Sequence, residues 1–334
     1  MTKVLITGAY GFLGKAVVKE FVKHGYHVIA FGRNEEKLNE LKSENVDVFL
    51  GDFCNSEDIN KACEGIDYVI HCGAYLKSWG RKEDFMKGNV EGTRNVLNAC
   101  KLNKVKRLVY CSSPSCNPKK DSLAFKEEDY NVNNKINYYV QSKIKAEAVL
   151  KEQTEVPYSI IRPRGLCGIG DKMMVPSLIN VNKTIGIPLF HKGSVVVDLC
   201  AIDNVALALR LCMEKDVALY QIYNITNDEP RNIKDLCDEM MPKLGITPKY
   251  SHPPFGLLYA FAGIAEGFFK LFHIYKKGPI ITRHDLCTIG RTQVFDISKA
   301  KRELGYVPQI SLAEMFDEYA ADCKKNHSLE KKEG

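Results

Sequence analysis

The sequence predicts an α/β protein built on a doubly wound parallel sheet, with a smaller C-terminal lobe interwoven with that sheet. Three observations support this prediction. Short apolar segments alternate with amphipathic helical segments through the first half of the chain. A glycine-rich turn, TGAYGFLG at residues 7–14, joins the first apolar segment to the first helix. After about residue 164 the alternation becomes irregular, and loop-forming segments separate single strands and helices.

The apolar segments of the first half have the length and composition of buried parallel strands. They are rich in Val, Ile and Leu and almost continuously apolar, as expected for strands covered on both faces. The predicted strands are KVLIT (3–7), HVIAF (27–31), VDVFL (46–50), DYVIH (67–71), KRLVYC (106–111) and YSIIR (158–162). The predicted helices between them are 12–24, 34–44, 56–64, 83–102 and 137–152. This alternation favours right-handed βαβ crossovers and a parallel sheet.

The second half of the chain predicts a smaller lobe that shares the last strands of the sheet. The segments SVVVDL (194–199) and QIYNIT (221–226) are the predicted late strands, and helices are predicted at 202–213, 232–243 and 311–323. We therefore expect a first domain over 1–165, with late strands from about 194–226. The second lobe would cover most of 166–325, and a polar tail would cover 326–334.

Composition is that of a globular chain large enough for an extensive core. The 334 residues are 45% hydrophobic and 26% charged, with a net charge of +6. The basic residues are scattered, so nucleic-acid binding is not favoured. The twelve cysteines form no C-x-x-C pair and no Cys/His group at zinc spacing, so we expect free thiols and no metal site. The N-terminus enters a strand by residue 3 without a secretory signal pattern, which favours a cytoplasmic protein.

The glycine-rich turn predicts a site for the pyrophosphate of a dinucleotide. Gly8 would permit the tight turn, Gly11 would let the backbone approach the phosphates, and Gly14 would let helix and strand pack closely. The spacing is G-x-x-G-x-x-G at the start of the first βαβ unit of a Rossmann-type sheet. The residues expected to contact the cofactor here are Gly8, Tyr10, Gly11, Phe12, Leu13 and Gly14.

The end of the second strand bears on the choice of nicotinamide cofactor. A carboxylate at that position would bind the ribose of NAD, whereas an arginine favours the 2′-phosphate of NADP. The sequence AFGRNEEK places Arg33 there, which favours NADP(H), while Glu35 and Glu36 nearby leave NAD(H) open. After the third strand, Asp52 and Phe53 could contact an adenine edge, and Asp52 could equally cap a turn or helix.

A serine-tipped fifth strand and the segment NYYVQSK predict the reacting groups. Ser112, Ser113 and Ser115 follow KRLVYC, and ligands of such a sheet lie beyond the carboxyl ends of the strands. Tyr139 and Lys143 share one helix face at i, i+4. Reduction of a ketone needs a proton donor and oxidation of an alcohol needs a base. A nearby ammonium would bring the high pKa of a tyrosine closer to neutrality.

These motifs together resemble those of extended short-chain dehydrogenases/reductases. The resemblance implies that Tyr139 is the acid/base, that Lys143 lowers its pKa and binds the nicotinamide ribose, and that Ser113 orients the substrate, with Ser112 as second candidate. Tyr138 is expected to be a packing aromatic. The family pattern also implies cofactor contacts from Gly73, Ala74, Asn89 and Pro163. It further implies a homodimer through helices 83–102 and 137–152.

The branch with the greatest resemblance is that of the 3β-hydroxysteroid dehydrogenases. The segments that resemble it, and that also resemble sterol-4α-carboxylate 3-dehydrogenases and bacterial 2-alkyl-3-oxoalkanoate reductases, are 71–100, 160–171 and 295–316. The resemblance implies a 3β-hydroxysteroid or sterol as substrate. The alternatives are a long-chain 2-alkyl-3-oxoalkanoic acid, a nucleotide-sugar epimerase or dehydratase, and a cofactor-sensing protein without catalysis.

The apolar segment 255–275, FGLLYAFAGIAEGFFKLFHIY, is consistent with a hydrophobic substrate. Three interpretations stay open at the level of sequence: a lid or core helix that lines an apolar pocket, a helix at a membrane interface, and a membrane span. Glu266 and Lys270 disfavour the span, because each would cost about 2–3 kcal/mol within a bilayer.

Overall fold

The computed structural model describes residues 1–114 and 120–330, without side-chain detail for 326–330. Its strands are β1 (Lys3–Thr7), β2 (His27–Gly32), β3 (Val46–Leu50), β4 (Tyr68–His71), β5 (Arg107–Cys111), β6 (Ser122–Phe125), β7 (Tyr158–Pro163), β8 (Leu166–Cys167), β9 (Ile187–Pro188), β10 (Val196–Val197), β11 (Cys200–Ala201), β12 (Gln221–Ile225), β13 (Arg231–Asn232), β14 (Tyr250–Ser251) and β15 (Gln293–Phe295).

The helices flank these strands on both sides. They are α1 (Phe12–Lys23), α2 (Glu35–Asn39), α3 (Ser56–Ala62), α4 (Lys82–Phe85), α5 (Gly92–Leu102), α6 (Tyr138–Lys151), α7 (Met174–Thr184), α8 (Ile202–Glu214), α9 (Ile233–Lys243), α10 (Phe255–Leu271), α11 (Arg283–Gly290), α12 (Ser298–Leu304) and α13 (Leu312–Glu330). A π-helical segment, Met86–Glu91, joins α4 to α5.

The main sheet confirms the predicted doubly wound α/β architecture. Within the described residues it has seven parallel strands in the order β12-β7-β5-β4-β1-β2-β3. Strands β2 and β3 lie on one side of β1, and β4 and the later strands lie on its other side. The direction in which strands are added therefore reverses at β1. That reversal of strand order opens a crevice beyond the carboxyl ends of β1 and β4, where ligands of such sheets bind.

Burial of the central strands explains their continuous apolar sequences. In β1, Val4 and Ile6 belong to a core cluster with Phe21 and Val205, which lie on α1 and α8. Leu5 between them belongs to a second cluster, formed with residues of the other face of the sheet. Alternate residues of a strand point to opposite faces, so a strand with both faces covered must be apolar at every position.

Two predicted helices of the first half differ from the observed ones. The helix expected at 34–44 ends at Asn39, and the helix expected at 83–102 contains a π-helical segment in its middle. The π-helical segment contains Asn89, whose buried side chain bonds the loop after β4. A widened turn of this kind is frequent at functional sites.

The smaller lobe shares strands with the main sheet only in part. Of the late strands expected between 194 and 226, β12 pairs with β7 in the main sheet. Strand β10 instead pairs with β13 and β15 in a four-stranded sheet with the order β13-β10-β15-β6. The expected strand 194–199 is thus only two residues long. The carboxylate of Asp198, directly after β10, accepts a hydrogen bond from the backbone N–H of Phe295.

The C-terminal helix α13 runs further than the sequence pattern predicts. Residues 326–330 were expected in a polar tail, but they continue α13 to Glu330, and residues 331–334 lie outside the described residues. Lys, Leu and Glu are strong helix formers, and the segment KKNHSLE at 324–330 contains four of them, so a polar sequence here is compatible with a helix.

The apolar segment 255–275 forms helix α10 and the turn after it. None of the helices in the described ranges combines the length and the apolar character that crossing a bilayer requires. Glu266 lies on the buried side of α10 and pairs with Arg283 of α11, with an oxygen–nitrogen distance of 2.8 Å.

Candidate active site

The glycine turn after β1 is packed too closely for side chains at two of its positions. Gly8 has a φ of +67°, and a Cβ atom on it would lie 2.8 Å from the Cα atom of Gly73. A Cβ atom on Gly14 would lie 2.1 Å from the carbonyl oxygen of Gly8. These contacts are the steric reason for glycine at both positions, and they bring the turn against the end of β4.

The N-terminus of α1 has the character of a phosphate site. The helix begins at Phe12, directly after Gly11, and no side chain among the described residues caps its first turn. Its first N–H groups and the positive end of its dipole are thus available to an anion, which fits the pyrophosphate of a dinucleotide. The Leu13 side chain packs against the core, so the group that Leu13 could present to a phosphate is its backbone N–H. The ring of Tyr10 packs over Gly32, and a Cβ atom on Gly32 would lie 2.4 Å from that ring.

The residues that bear on cofactor selection form an ion pair. A nitrogen of Arg33 lies 3.5 Å from a carboxylate oxygen of Asp52, and the Arg33 side chain is 65% exposed. The other oxygen of Asp52 accepts a hydrogen bond from the backbone N–H of Cys54, at 2.9 Å. Asp52 therefore stabilises a turn, as one of its two interpretations predicted, while Arg33 stays accessible at the end of β2.

Phe53 packs where two glycines leave space for its ring. A Cβ atom on Gly73 would lie 2.5 Å from the ring, and one on Gly92 would lie 2.6 Å from it. The ring meets the imidazole of His71 edge-on, with 5.3 Å between centroids. This packing places Phe53 beside the backbone of Gly73, and its contact with an adenine stays a prediction.

His71 joins three elements at the carboxyl edge of the sheet, and sequence reasoning assigned it no role. Its Nδ1 lies 2.7 Å from the hydroxyl of Thr7, and its Nε2 lies 3.1 Å from the hydroxyl of Thr93. The Thr7 hydroxyl also accepts a hydrogen bond from the N–H of Gly73. Burial, and to a lesser extent the charge of Lys143, lowers the pKa of His71 to about 3. A neutral imidazole therefore sets the spacing between β1, β4 and α5.

The predicted reacting residues come together beyond the end of β5. The ammonium of Lys143 is buried, donates to the carbonyl oxygen of Cys111 at 2.7 Å, and lies 4.4 Å from the ring centroid of Tyr110. The Ser113 hydroxyl lies near the hydroxyl of Tyr139 and lowers its pKa in the manner of a hydrogen-bond donor. Tyr139, Lys143 and Ser113 thus meet at the edge of the sheet, with α6 supplying two of them and the end of β5 the third.

The charge of Lys143 acts on Tyr139, but burial has the larger effect. Desolvation raises the pKa of Tyr139 above its ordinary value, while Lys143 and the Ser113 hydrogen bond act in the lowering direction. In the described structure Tyr139 is therefore a neutral phenol at neutral pH, able to donate a proton. Lys143 forms no ion pair with a described carboxylate, so its remaining N–H groups are available to the oxygen atoms of a bound molecule.

Ser112, the second candidate for substrate orientation, is engaged elsewhere. Its hydroxyl donates to a carboxylate oxygen of Glu147 at 2.6 Å, and Glu147 accepts two hydrogen bonds from Arg162, at 2.9 and 2.7 Å. Burial alone would raise the pKa of Glu147, but Arg162, with Lys151 and Ser112, outweighs burial and lowers it. Ser112 thus belongs to a buried network behind the site, and the substrate role of Ser113 stays a prediction. Ser115 lies outside the described residues.

Asn89 connects the loop after β4 to α6. Its side-chain oxygen accepts from the N–H of Tyr75 at 2.6 Å, and its side-chain nitrogen donates to the carbonyl oxygen of Tyr75 and to the hydroxyl of Ser142. The loop carries Ala74, next to Gly73. These bonds position the loop relative to the helix that carries Tyr139, and a direct contact of Asn89 with cofactor stays a prediction.

Pro163, the other predicted neighbour of the nicotinamide, is buried at the end of β7. It pairs in parallel register with Ile225 of β12. This position is at the same carboxyl edge as Ser113, because β5 and β7 are adjacent parallel strands. The contact of Pro163 with a cofactor is likewise still a prediction.

Tyr138 packs against aromatic and basic side chains beside the site, as predicted for a packing aromatic. Its ring lies 6.5 Å from the ring of Phe85, and the ammonium of Lys270 lies 5.3 Å from its centroid. Lys270 also lies over Trp79, at 5.7 Å, and the indole N–H of Trp79 donates to the carbonyl oxygen of Ile274. This cluster connects α6 to α10 across the two halves of the chain, a contact that the sequence pattern did not predict.

A family model covers the part of the chain that forms this site. Residues 4–226 match the model described as NAD dependent epimerase/dehydratase family. That range includes the glycine turn, Ser113, Tyr139, Lys143 and the last strand of the main sheet.

Full-length relatives extend the similarity over the second lobe. The chain is 30% identical to 2-alkyl-3-oxoalkanoate reductase from Shewanella oneidensis, over 94% of this chain and 84% of that protein. It is 28% identical to the decarboxylating sterol-4-alpha-carboxylate 3-dehydrogenase of Mus musculus, over 94% and 89% of the two chains. In fold it is similar to UDP-glucuronic acid 4-epimerase from Bacillus cereus in complex with NAD, with a TM-score of 0.76, 20% identity, and coverage of 98% and 100%.

Proposed function

The chain belongs to the NAD dependent epimerase/dehydratase family, and we propose that it interconverts a secondary alcohol and a ketone on a hydrophobic substrate. It is an enzyme of NAD(P)-dependent chemistry at hydroxyl and keto groups, as its family and its relatives are. The observation that carries the proposal is the meeting of Tyr139, Ser113 and Lys143 beyond β5.

The residues of the site divide the work of the reaction. A bound nicotinamide supplies or accepts the hydride at the carbon that changes oxidation state. Ser113 and Tyr139 would hold the substrate oxygen by hydrogen bonds, and the Tyr139 hydroxyl donates the proton during ketone reduction. In alcohol oxidation the same oxygen accepts the proton, and the Lys143 charge favours the tyrosinate that this step needs.

The cofactor proposal is a preference for NADP(H). The exposed guanidinium of Arg33 at the end of β2 could pair with a 2′-phosphate, and its contact with Asp52 is long enough to be exchanged for a phosphate contact. Arg33→Ala should raise the KM for NADPH by about tenfold or more, because a charge-assisted hydrogen bond contributes about 1.5–3 kcal/mol. The KM for NADH should change little. An equal loss for both cofactors would overturn the preference.

The substrate proposal comes from what the names of two relatives have in common. A 2-alkyl-3-oxoalkanoate carries its carboxylate on the carbon next to the keto carbon, and a sterol 4-alpha-carboxylate carries it next to carbon 3. We infer a hydrophobic 3-hydroxy or 3-oxo compound as substrate. A sterol or 3β-hydroxysteroid is one form of it, and a long-chain 2-alkyl-3-oxoalkanoic acid is the other.

A substrate panel tests this proposal. Steroids and sterols with a 3-hydroxy or 3-oxo group, with and without a 4-carboxylate, would be compared with 2-alkyl-3-oxoalkanoic acids. Each would be followed by nicotinamide absorbance with both cofactors, and a Tyr139→Phe variant would serve as the inactive control. Turnover of any hydrophobic member by the wild type but not by the variant supports the proposal.

The rival function is epimerisation or dehydration of a nucleotide sugar, which the shared fold favours. An epimerase returns its hydride to the substrate, so it converts UDP-sugars without net formation of reduced cofactor. Chromatography of UDP-sugars incubated with the enzyme detects that conversion. Conversion of a UDP-sugar, with every hydrophobic substrate inert, would replace the proposed function by this one.

A further inference from the structure

Helix α10 presents a continuous apolar face to solvent. Its large side chains recur at intervals of three and four residues, which places them on one side of the helix. Those that are 53–73% exposed, which we call the α10 face, are Leu257, Phe261, Ile264, Phe268, Leu271 and Phe272. A monomeric protein seldom exposes so many large apolar side chains in one patch, and such patches mark interaction sites.

The orientation of this face is set by contacts on the opposite side of α10. Ala262 is fully buried, and the carboxylate of Glu266 is buried and held by Arg283. Arg283 donates to it from its backbone N–H at 2.7 Å and from its guanidinium at 3.0 and 2.8 Å. Because that ion pair anchors the polar side of α10 to α11, the apolar side must point outward.

The exposed charges of the segment 255–281 are positive. Glu266 is the one carboxylate in the sequence from 255 to 281, and it is already paired inside the protein. The exposed Lys276 and Lys277 follow the face at its C-terminal end. The loop that carries exposed Leu76 and Lys77 is connected to the same end, because Trp79 donates to the carbonyl oxygen of Ile274 at 2.9 Å.

We propose that the α10 face docks peripherally on a lipid bilayer with anionic headgroups. Exposed Phe, Leu and Ile side chains in a plane would enter the boundary between headgroups and acyl chains, and the lysines at its border would meet lipid phosphates. A second copy of the chain is a poorer occupant. In a two-fold interface the face would meet itself, and it contains no exposed carboxylate to pair with the lysines.

Docking would also bring the candidate active site close to lipid. Lys270, near the end of α10, lies over the ring of Tyr138, which neighbours Tyr139. A lipid-soluble substrate could then pass from the bilayer to the site without crossing water, and this consequence rests on the proposed function. Docking itself does not depend on the proposed function, because binding to vesicles is measured without any substrate.

Vesicle co-sedimentation of the full chain tests the inference. Vesicles of phosphatidylcholine alone would be compared with vesicles of phosphatidylcholine and phosphatidylglycerol. We expect the wild type to bind the anionic vesicles and to be released by high salt in part. Phe261→Glu with Phe268→Glu should lower the partition coefficient by roughly tenfold or more, since each charge opposes burial in the interface.

Two further variants separate apolar from electrostatic contributions. Lys276→Gln with Lys277→Gln should lower binding to anionic vesicles by roughly 25-fold, at about fivefold per lysine, and leave binding to neutral vesicles unchanged. The matched control is Leu123→Glu with Val307→Glu, because these exposed apolar residues lie outside α10. The control should bind as the wild type does. Circular dichroism would verify the fold of each variant.

Three outcomes would overturn the inference. The first is a wild type that stays in solution with anionic vesicles. The second is a folded Phe261→Glu/Phe268→Glu variant that binds them as tightly as the wild type. The third concerns the mass in solution, measured by light scattering. If the mass of the Phe261→Glu/Phe268→Glu variant is half that of the wild type, the α10 face forms a contact between copies of the chain.

Discussion

The carboxyl edge of the main sheet and the α10 face are organised in opposite ways. At the sheet edge, polar side chains such as His71, Asn89 and Glu147 are buried and bonded to several partners each. On α10, Phe261 and its neighbours are exposed and contribute little to the core. Bonded polar groups hold reacting atoms at set distances, whereas an exposed apolar face is useful only toward something outside the protein.

The largest effect should come from Tyr139, whose hydroxyl is proposed to exchange a proton with the substrate. Tyr139→Phe should lower kcat by about 10²- to 10⁴-fold, because the variant lacks the acid/base group. Binding of the nicotinamide cofactor, measured by fluorescence titration, should be nearly unchanged, since the glycine turn is intact. Tyr138→Phe is the control and should retain most activity. A Tyr139→Phe enzyme close to wild-type activity would contradict this assignment.

The next largest effect should come from breaking the buried network behind the site, which includes Glu147 and Arg162. Arg162→Met leaves the buried carboxylate of Glu147 with only the Ser112 hydroxyl and the partly exposed Lys151 as partners, and should lower the free energy of unfolding by about 3 kcal/mol. Urea denaturation measures this change. Replacing both residues, with Glu147→Leu added, should restore much of the loss, because no buried charge is then left alone. A double variant as unstable as the sum of two single variants would mean that the pair is not coupled.

A smaller effect should appear in the pH dependence of stability. His71 is neutral in the fold, with its pKa lowered from 6.5 to about 3, so the unfolded chain binds the extra proton first as pH falls. Its contribution is full above pH 6.5 and should decrease by about 3 kcal/mol by about pH 4. His71→Gln should flatten the curve of unfolding free energy over that range. A variant curve parallel to the wild type would contradict a buried neutral His71.

The smallest effect should come from the exposed α10 face. Phe261→Ser should change the free energy of unfolding by no more than about 0.5 kcal/mol, because its side chain is exposed in the folded and unfolded states alike. Phe316→Ser, at a fully buried position, should cost about 3–5 kcal/mol in the same thermal or urea experiment. Comparable losses for the two variants would show that Phe261 is packed rather than exposed.

Much of the fold followed from local pattern. The six strands expected in the first half are present within a residue of their predicted bounds, because a strand buried on both faces must be apolar throughout. The small elements of the second lobe, such as β10 and α11, were predicted poorly or not at all. Two-residue strands carry too little periodicity, and their pairing partners lie far away in the sequence.

The sequence by itself determined which residues could react. The glycine turn, the serine after β5 and the Tyr-x-x-x-Lys spacing are local features, and the order of a parallel sheet brings them to one edge. Only the tertiary structure shows that the Ser112 hydroxyl is already engaged, because its partner Glu147 lies 35 residues away. It also decided that α10 turns its apolar face to solvent, through the pairing of Glu266 with Arg283. Such choices depend on partners that no local pattern contains.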